Sequence, residues 1–321
     1  MGSEGIMMKS ILVTGGYGFI GSRMCARLES RGLNFDIADD MSFALYSSRS
    51  RASTPRVNFG AVSNPALLSR ISAGYYDTIF HFAAWGRVGS CTSQPIESHA
   101  ANVTSTLQLL DACARVDGTK PTVIVSSSSA VYGNAQSGEL GEDGPVGPIS
   151  LYGHQKLTVE GYCRLYSETH GVPTVCLRYF NVYGNGQLAR GPYTTVMAAW
   201  IDAALNGRAL RWDGDGEQRR DYVNVEDVID ANLRAAQNPT GRIYNVGTGF
   251  DYSNSQLRAI LGDHGISFDK IVAAPARVGD PAKTCANIDR IKQDLGWEPK
   301  ILLREGLKNM VVMANMSMRS F

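Results

Sequence analysis

The first residues in this sequence that could carry out proton transfer are a tyrosine and a lysine. Tyr152 and Lys156 stand four positions apart in a segment with a helical pattern. Four residues make about one helical turn, so both side chains are predicted on one face. A nearby ammonium stabilises tyrosinate and lowers the tyrosine pKa, which makes Tyr152 a candidate general base. A serine run at 126–129 ends a predicted strand upstream, and one of its hydroxyls could share a substrate oxygen with Tyr152.

The second group is a glycine-rich turn of the form GxxGxxG between a predicted strand and a predicted helix. Gly15 permits a tight turn, Gly18 a close approach of the backbone to a pyrophosphate, and Gly21 close packing of helix on strand. The helix N-terminus adds unpaired N–H groups and a partial positive charge. Asp39 follows the next strand and could accept from both ribose hydroxyls, which favours NAD over NADP; Asp40 is the fallback. Alternatively, both acids only cap the next turn.

A parallel sheet is the element that would position these groups. Buried strands are predicted at residues 10–14, 35–38, 78–83, 122–126 and 174–178, alternating with helices at 20–29, 96–115 and 151–169. This alternation predicts a Rossmann-type doubly wound α/β sheet, whose ligands bind at the carboxyl ends of the strands. The predicted NAD-binding domain comprises residues 1–181 and about 223–250. A smaller C-terminal substrate-binding lobe, interleaved with it, comprises about 182–222 and 251–321.

Composition argues against several classes of protein. The 321 residues contain 31 Lys and Arg against 30 Asp and Glu, so there is no electrostatic footprint for nucleic acid or an acidic membrane. The six cysteines are scattered without metal-ligand spacing, which predicts a reduced, cytoplasmic protein with no metal site. Neither a signal peptide nor an apolar stretch of about 18 residues is found.

The motifs, taken in order, resemble those of extended short-chain dehydrogenase/reductases, in the nucleotide-sugar epimerase and dehydratase group. They cover nearly the whole chain and comprise VTGGYGFIGS, HFAA, NVTSTLQLLDA, SSSSAVYGN, YGHQK, LRYFNVYGNGQ, GDGEQRRDYVNVEDV, YNVGTG and RVGDPAKTCANIDRIKQDLGWEPK. The resemblance implies NAD as cofactor, a UDP-sugar as substrate and a homodimer that pairs through the helices at 96–115 and 151–169.

The resemblance also implies a role for individual residues. Ser128 corresponds to the catalytic hydroxyl, Tyr152 to the base, and Lys156 to the residue that binds the nicotinamide ribose and tunes the tyrosine. The residues expected to contact NAD are Gly15, Gly18, Phe19, Ile20, Gly21, Asp39, Asp40, Ala83 and Lys156. Those expected to contact the substrate are Arg87, Ser128, Asn181, Arg220, Arg277, Asp280 and Thr284. Within the second set, the diphosphate would be held by Asn181, Arg220 and Arg277. Asp280 would bind the uridine ribose.

Three positions depart from the family pattern. The stretch at 60–64 reads GAVSN and lacks the aspartate that usually holds the adenine. Ser129 and Ala130 stand where sugar 4,6-dehydratases carry an Asp-Glu acid–base pair, which favours a 4-epimerase or a dehydratase with different catalytic groups. Thr284 replaces a tyrosine that excludes N-acetyl sugars, and its smaller volume predicts a UDP-N-acetylhexosamine substrate.

The segment at 85–91 is unusual for an epimerase, and it is predicted to be a loop beside the hexose. Cys91 could act there as an acid or base near C5 or C6, particularly if Arg87 stabilises a thiolate. The alternative is that Cys91 is a small buried core residue.

The leading expectation is an NAD-dependent dehydratase acting on UDP-GlcNAc, as in members of the family that serve antibiotic biosynthesis. Transient oxidation at C4, deprotonation at C5 and loss of the C6 hydroxyl would give a 5,6-unsaturated sugar. The alternative is a 4-epimerase of UDP-GlcNAc or UDP-glucose that passes through the same 4-keto sugar. A non-catalytic NAD-binding protein on this fold is a third possibility, which the intact Ser128, Tyr152 and Lys156 disfavour.

Overall fold

The computed structural model describes residues 8–42, 57–134, 138–187, 195–275 and 281–318. The strands are β1 (Ile11–Thr14), β2 (Phe35–Ala38), β3 (Thr78–His81), β4 (Thr122–Ser128), β5 (Thr174–Tyr179), β6 (Asn181–Tyr183), β7 (Leu210–Asp213), β8 (Arg219–Asn224), β9 (Ile243–Val246), β10 (Asp251–Ser253), β11 (Ile271–Ala274) and β12 (Lys283–Thr284). The helices are α1 (Phe19–Ser30), α2 (Pro65–Ser72), α3 (Val88–Ser93), α4 (Pro95–His99), α5 (Ser105–Ala114), α6 (Leu151–His170), α7 (Val196–Leu205), α8 (Val225–Gln237), α9 (Asn254–Asp263), α10 (Asp289–Leu295) and α11 (Leu303–Met318).

Six parallel strands form the large sheet, in the order β2-β1-β3-β4-β5-β9. Its strands are buried on both faces because successive side chains point to opposite sides. In β1, Ile11 and Val13 pack with α1 and α8, whereas Leu12 packs with α2, α5 and α6. This doubly wound sheet confirms the predicted fold class.

Two of the predicted elements differ from the structure. The helix expected at 96–115 is divided: α4 leads into a π-helical turn, Ala100–Thr104, and then into α5. The segment expected as a loop at 85–91 ends inside α3, because the N–H of Cys91 donates to the Arg87 carbonyl at 3.1 Å. The side chain of Cys91 is buried and anchors this short helix.

A smaller sheet lies beside the large one, with β8 paired to β6, β10 and β12. Trp200, Leu257 and Leu307 belong to the separate apolar cluster formed here by α7, α9 and α11. The chain runs from β8 directly into α8, which packs on the large sheet, and then into β9 of that sheet. One continuous segment therefore serves both sheets, while the predicted domain boundaries stay a prediction.

No disulfide joins the cysteines, all six of which lie within the described residues. All six cysteines are free thiols, five of them buried. Across the ranges that the structure describes, no helix combines the length and the apolar character needed to cross a bilayer. The same ranges contain no group of three or more His, Cys, Asp or Glu side chains arranged to hold a metal ion.

Candidate functional site

A cavity of about 790 Å³ opens at the carboxyl ends of β1, β3, β4 and β5. It brings together residues that are far apart in the sequence and that were predicted to act together. Its lining includes Gly15, Gly18, Phe19, Ile20, Gly21, Asp39, Asp40, Ala83, Arg87, Ser128, Tyr152 and Lys156. All the residues expected at NAD and three of the four candidate catalytic residues therefore share one cavity.

The glycine turn is shaped by contacts that leave no room for a side chain. Gly15 has φ +67°, and a Cβ there would lie 2.7 Å from the backbone nitrogen of Ala83. A Cβ on Gly21 would lie 2.0 Å from the Gly15 carbonyl oxygen. The first turn of α1, whose N–H groups need acceptors, thereby comes close to β1 and lines the cavity. This cradle fits a dinucleotide pyrophosphate.

Asp39 lies at the end of β2, where the ribose of such a dinucleotide is expected. Its two carboxylate oxygens accept from the N–H groups of Tyr17 and Met41, each at 2.8 Å. Burial raises the pKa of Asp39, and these two hydrogen bonds counteract the rise. Asp40 accepts from the N–H and hydroxyl of Ser42. Both acids thus cap the following turn, and both also line the cavity.

The catalytic candidates meet at the ends of β4 and α6. The Nζ of Lys156 donates to the Ser126 carbonyl at 2.7 Å and lies 5.8 Å from the centre of the Tyr152 ring. Burial lowers the pKa of Lys156 to about 8. Burial also raises the pKa of Tyr152, to about 12. A hydrogen bond with Ser128 lowers this pKa but only partly offsets the effect of burial. Tyr152 is therefore a phenol at neutral pH until further positive charge approaches.

Two local features bring Tyr152 to Ser128. The hydroxyl of Ser150 caps α6 by accepting from the Gly153 N–H at 3.1 Å. A Cβ on Gly153 would lie 2.6 Å from the carbonyl oxygen of Ala130, so glycine lets the helix start pack against the turn that follows β4.

His81, at the end of β3, forms a buried hydrogen-bond chain that the sequence analysis missed. The Thr14 hydroxyl accepts from the Ala83 N–H at 3.1 Å and donates to His81 Nδ1 at 2.7 Å. His81 Nε2 donates to the Thr106 hydroxyl at 2.8 Å, which donates to the Asn102 carbonyl. Burial, helped by the charge of Lys156, lowers the pKa of His81 to about 3, so the imidazole is neutral. The sequence signal for this hydrogen-bond chain was His81 itself, a polar residue at the end of a mostly apolar strand.

A buried ion pair ties β5 to α6, and a serine hydroxyl joins β4 to it. Glu160 receives the Arg178 guanidinium on both oxygens, at 2.9 and 2.8 Å, and the Ser127 hydroxyl at 2.5 Å. Both charged side chains are almost fully buried. Because Ser127 precedes Ser128 and Glu160 lies one turn beyond Lys156, this pair fixes the serine run against the helix.

The residues expected to hold the nucleotide sugar lie in or near the smaller sheet. The Asn181 amide donates to the Asp221 carbonyl at 3.1 Å, and Arg220 is paired in register with Thr284. The described lining of the cavity does not include Asn181, Arg220 or Thr284. Within the described chain, the buried hydroxyl of Thr284 has no hydrogen-bond partner. The remaining two predictions, Arg277 and Asp280, lie outside the described residues.

Cys91 lies behind the cavity wall rather than among its lining residues. Its thiol approaches the Trp85 carbonyl at 3.5 Å. Burial raises the pKa of Cys91, although hydrogen bonds from Ser98 and Asn102 and the charge of Lys156 act in the opposite direction. This rise opposes a thiolate beside Arg87 and favours the alternative, in which Cys91 is a small buried core residue.

The chain has close relatives among known proteins. The profile of the NAD dependent epimerase/dehydratase family matches residues 11–247. A UDP-glucose 4-epimerase of Mycolicibacterium smegmatis is 34% identical over 306 residues, which cover 94% of this chain and 96% of that protein.

Two solved structures have the same fold over almost their whole length. The UDP-glucose 4-epimerase of Thermotoga maritima, with UDP-glucose, is 31% identical with a TM-score of 0.89, covering 96% of this chain and 99% of that one. The UDP-N-acetylglucosamine 4-epimerase of Methanobrevibacter ruminantium, in complex with UDP-N-acetylmuramic acid, is 30% identical with a TM-score of 0.89, covering 97% and 100%.

Proposed function

The chain belongs to the NAD dependent epimerase/dehydratase family, and from that premise we propose that it is an NAD-dependent 4-epimerase of a UDP-sugar. The observation that carries the proposal is the convergence of Ser128, Tyr152 and Lys156 in one cavity with the glycine turn and Asp39. These groups suit the removal of a proton from a secondary alcohol whose carbon loses a hydride. Family membership confirms the expectation of NAD dependence.

The proposed mechanism begins with Tyr152. Its phenolate oxygen takes the proton of the C4 hydroxyl while Ser128 hydrogen-bonds the same oxygen. The ammonium of Lys156 favours the phenolate, because a nearby positive charge lowers a tyrosine pKa. When bound, NAD supplies the hydride acceptor and donor at C4. The resulting 4-keto sugar turns within the cavity, and Tyr152 returns the proton to its oxygen after reduction on the other face.

Epimerisation is favoured over dehydration by two independent observations. Ser129 and Ala130 provide neither a carboxylic acid nor a carboxylate after the catalytic serine. The similar proteins described above carry the names UDP-glucose 4-epimerase and UDP-N-acetylglucosamine 4-epimerase. The 4-epimerase, which the sequence placed second, thus becomes the leading candidate.

The proposed substrate is a UDP-N-acetylhexosamine. Thr284 is small, and its buried hydroxyl has no partner among the described residues, so a ligand acceptor there would satisfy it. Asn181, Arg220, Arg277 and Asp280 remain the proposed contacts of the UDP group.

The 5,6-dehydratase remains a second candidate because of one specific observation. The Cys91 thiol contacts the carbonyl of Trp85, and Trp85 lines the cavity together with Tyr152. In a dehydratase, a shift of the wall at 85–87 would bring this protonated thiol to the C6 hydroxyl as the acid for its departure. Such an enzyme would resemble the UDP-GlcNAc 5,6-dehydratase of tunicamycin biosynthesis.

Proton NMR of UDP-GlcNAc incubated with the purified protein, without added reductant, separates these functions. We expect the galacto pattern of H4 to appear with no olefinic signal. Vinylic signals of a C6 methylene would instead establish the dehydratase. An unchanged spectrum with both UDP-GlcNAc and UDP-glucose, from protein that contains NAD, would overturn both and favour a non-catalytic NAD-binding protein.

We further propose a homodimer through the helices at 96–115 and 151–169. Its support is the exposure of large apolar side chains on these helices, namely Ile96, Leu151 and Leu165. Sedimentation equilibrium should give twice the monomer mass, and a monomer at micromolar concentration would contradict this assembly.

A further inference from the structure

A buried amide holds one wall of the cavity by its backbone. Trp85, Gly86 and Arg87 line the cavity between the end of β3 and the start of α3. The side-chain oxygen of Asn102 accepts from the Trp85 N–H at 2.6 Å, and its side-chain nitrogen donates to the Trp85 carbonyl at 3.2 Å. One side chain therefore fixes both backbone groups of Trp85, in the manner of a paired strand.

Gln155 on α6 holds Asn102 in turn. The Gln155 side-chain oxygen accepts from the Asn102 nitrogen at 2.7 Å, and its own nitrogen donates to the Ser98 hydroxyl at 3.0 Å. Gln155, Asn102 and Ser98 are all buried. Because an amide has a distinct donor and acceptor end, the order of these bonds fixes how the Asn102 side chain is turned.

Both ends of this chain of amides belong to the site. Gln155 directly precedes Lys156 and lies three residues after Tyr152, on the same helix. At the other end, the cavity wall at 85–87 faces the space that Tyr152 and Ser128 also line. The distance from the wall to the catalytic tyrosine therefore depends on two hydrogen-bonded amides.

We propose that Gln155 is a positioning residue that acts through Asn102 to hold the wall at 85–87 at its working distance from Tyr152. This inference rests on the proposed function, since the wall would orient the hexose whose C4 hydroxyl meets Tyr152. Gln155 itself does not line the cavity. Small displacements of a bound substrate lower turnover strongly, because reaction needs the reacting atoms within a narrow range of distances.

The test compares substitutions of the two residues that share one hydrogen bond, Gln155 and Ser98. Gln155→Met keeps the volume but removes the acceptor for Asn102, whereas Ser98→Ala removes only the outer partner of Gln155. We expect Gln155→Met to lower kcat for UDP-GlcNAc by about tenfold or more, with KM within about threefold and unchanged NAD content. Hydrogen exchange of a peptide spanning residues 82–87 should also become faster, since the Trp85 N–H loses a fixed acceptor.

Ser98→Ala is the matched control. It should lower the melting temperature as Gln155→Met does, because both leave a buried polar group without its partner, but keep kcat, KM and the exchange of the 82–87 peptide. Equal kinetic effects of the two substitutions, or faster exchange with unchanged kcat in Gln155→Met, would overturn the proposal. If Gln155→Met does not fold, Gln155→Asn withdraws the acceptor with a shorter amide and carries the same expectation.

The exchange measurement keeps this inference separate from the proposed function. If the wild-type protein turns over neither UDP-GlcNAc nor UDP-glucose, the proposed function is wrong. The 82–87 peptide then still reports whether Gln155 holds the wall, and unchanged exchange in Gln155→Met would reject that as well.

Discussion

The catalytic side of the cavity and the smaller sheet satisfy their polar groups in different ways. On the catalytic side, His81, Asn102 and Gln155 each have protein partners at both ends of the side chain. In the smaller sheet, Thr284 buries a hydroxyl for which the described residues offer no partner. One side is completed by protein contacts, whereas the other contains a buried hydroxyl without a partner among the described residues.

This difference separates chemistry from selectivity. Groups fixed by buried hydrogen bonds are already in place when substrate arrives, which is what proton transfer and hydride transfer require. Under the proposed function, selectivity for one sugar would rest on fewer contacts, among them Thr284 in the short strand β12. Substitutions on the catalytic side should therefore abolish turnover of every substrate, whereas substitutions near Thr284 should change the preference between substrates.

The largest effect is expected for Tyr152→Phe. Removing the hydroxyl that exchanges the C4 proton should lower kcat by about 10³-fold, with NAD still bound. Turnover is measured by proton NMR and bound NAD by its release on denaturation. Tyr162→Phe, on the same helix but not among the cavity-lining residues, is the matched control. Retention of more than a tenth of the activity would mean that Tyr152 is not the base.

Lys156→Met should lower kcat by about 10²-fold and at the same time stabilise the protein. Burial lowers the pKa of Lys156 from 10.5 to about 8, so at neutral pH the folded state bears the full cost of a buried ammonium. At about 1.4 kcal/mol per pKa unit this cost is about 3 kcal/mol. Loss of the bond to Ser126 offsets about 1 kcal/mol, which leaves a gain of about 2 kcal/mol at pH 7.

The pH dependence of that gain provides its check. Between pH 8 and 10.5 the unfolded wild-type chain binds more protons at Lys156 than the folded one, so wild-type stability rises with pH. Urea unfolding should therefore show the advantage of Lys156→Met shrinking towards pH 10. A constant or growing advantage would contradict the depressed pKa.

A smaller and selective effect is expected for Thr284→Tyr. The larger ring should lower kcat/KM for UDP-GlcNAc by about tenfold or more, through lost space, while UDP-glucose is turned over at close to the wild-type rate. Thr284→Val keeps the volume and removes only the hydroxyl, so it separates a steric effect from a hydrogen bond. UDP-glucose turned over by the wild type with UDP-GlcNAc ignored would reject the N-acetylhexosamine assignment.

The smallest effect is expected for Cys91→Ser. A buried thiol whose pKa is raised acts as a core residue, so kcat should stay within about twofold while the melting temperature falls slightly. The outcome bears on the second candidate function, because a 5,6-dehydratase that uses this thiol as its acid would lose most of its activity.

The sequence alone predicted the strands of the large sheet, the glycine turn and the Tyr152–Lys156 pair because their signals are local, whereas Ser128 was singled out by the resemblance to the family. Apolar runs mark β1 to β5, and the spacing of Tyr152 and Lys156 is contained in one helical turn. The link between Asn102 and Gln155 joins positions 53 residues apart and leaves no trace in either local pattern. Strands of two or three residues, such as β12, carry too few side chains for an alternating pattern to be recognised.

The π-helical turn between α4 and α5 constrains how this chain can change in length. A turn of this kind accommodates one residue more than an α-helical turn, so α5 is rotated by about 100° relative to a continuation of α4. Ser98 before the turn, Asn102 within it and Leu109 after it are all buried, so contacts on both sides of the turn fix its register. A one-residue deletion between Pro95 and Ala114 would bring one of these faces out of phase with the core. Homologues that keep the buried amides should therefore show no gaps across this stretch, even though part of it is exposed to solvent.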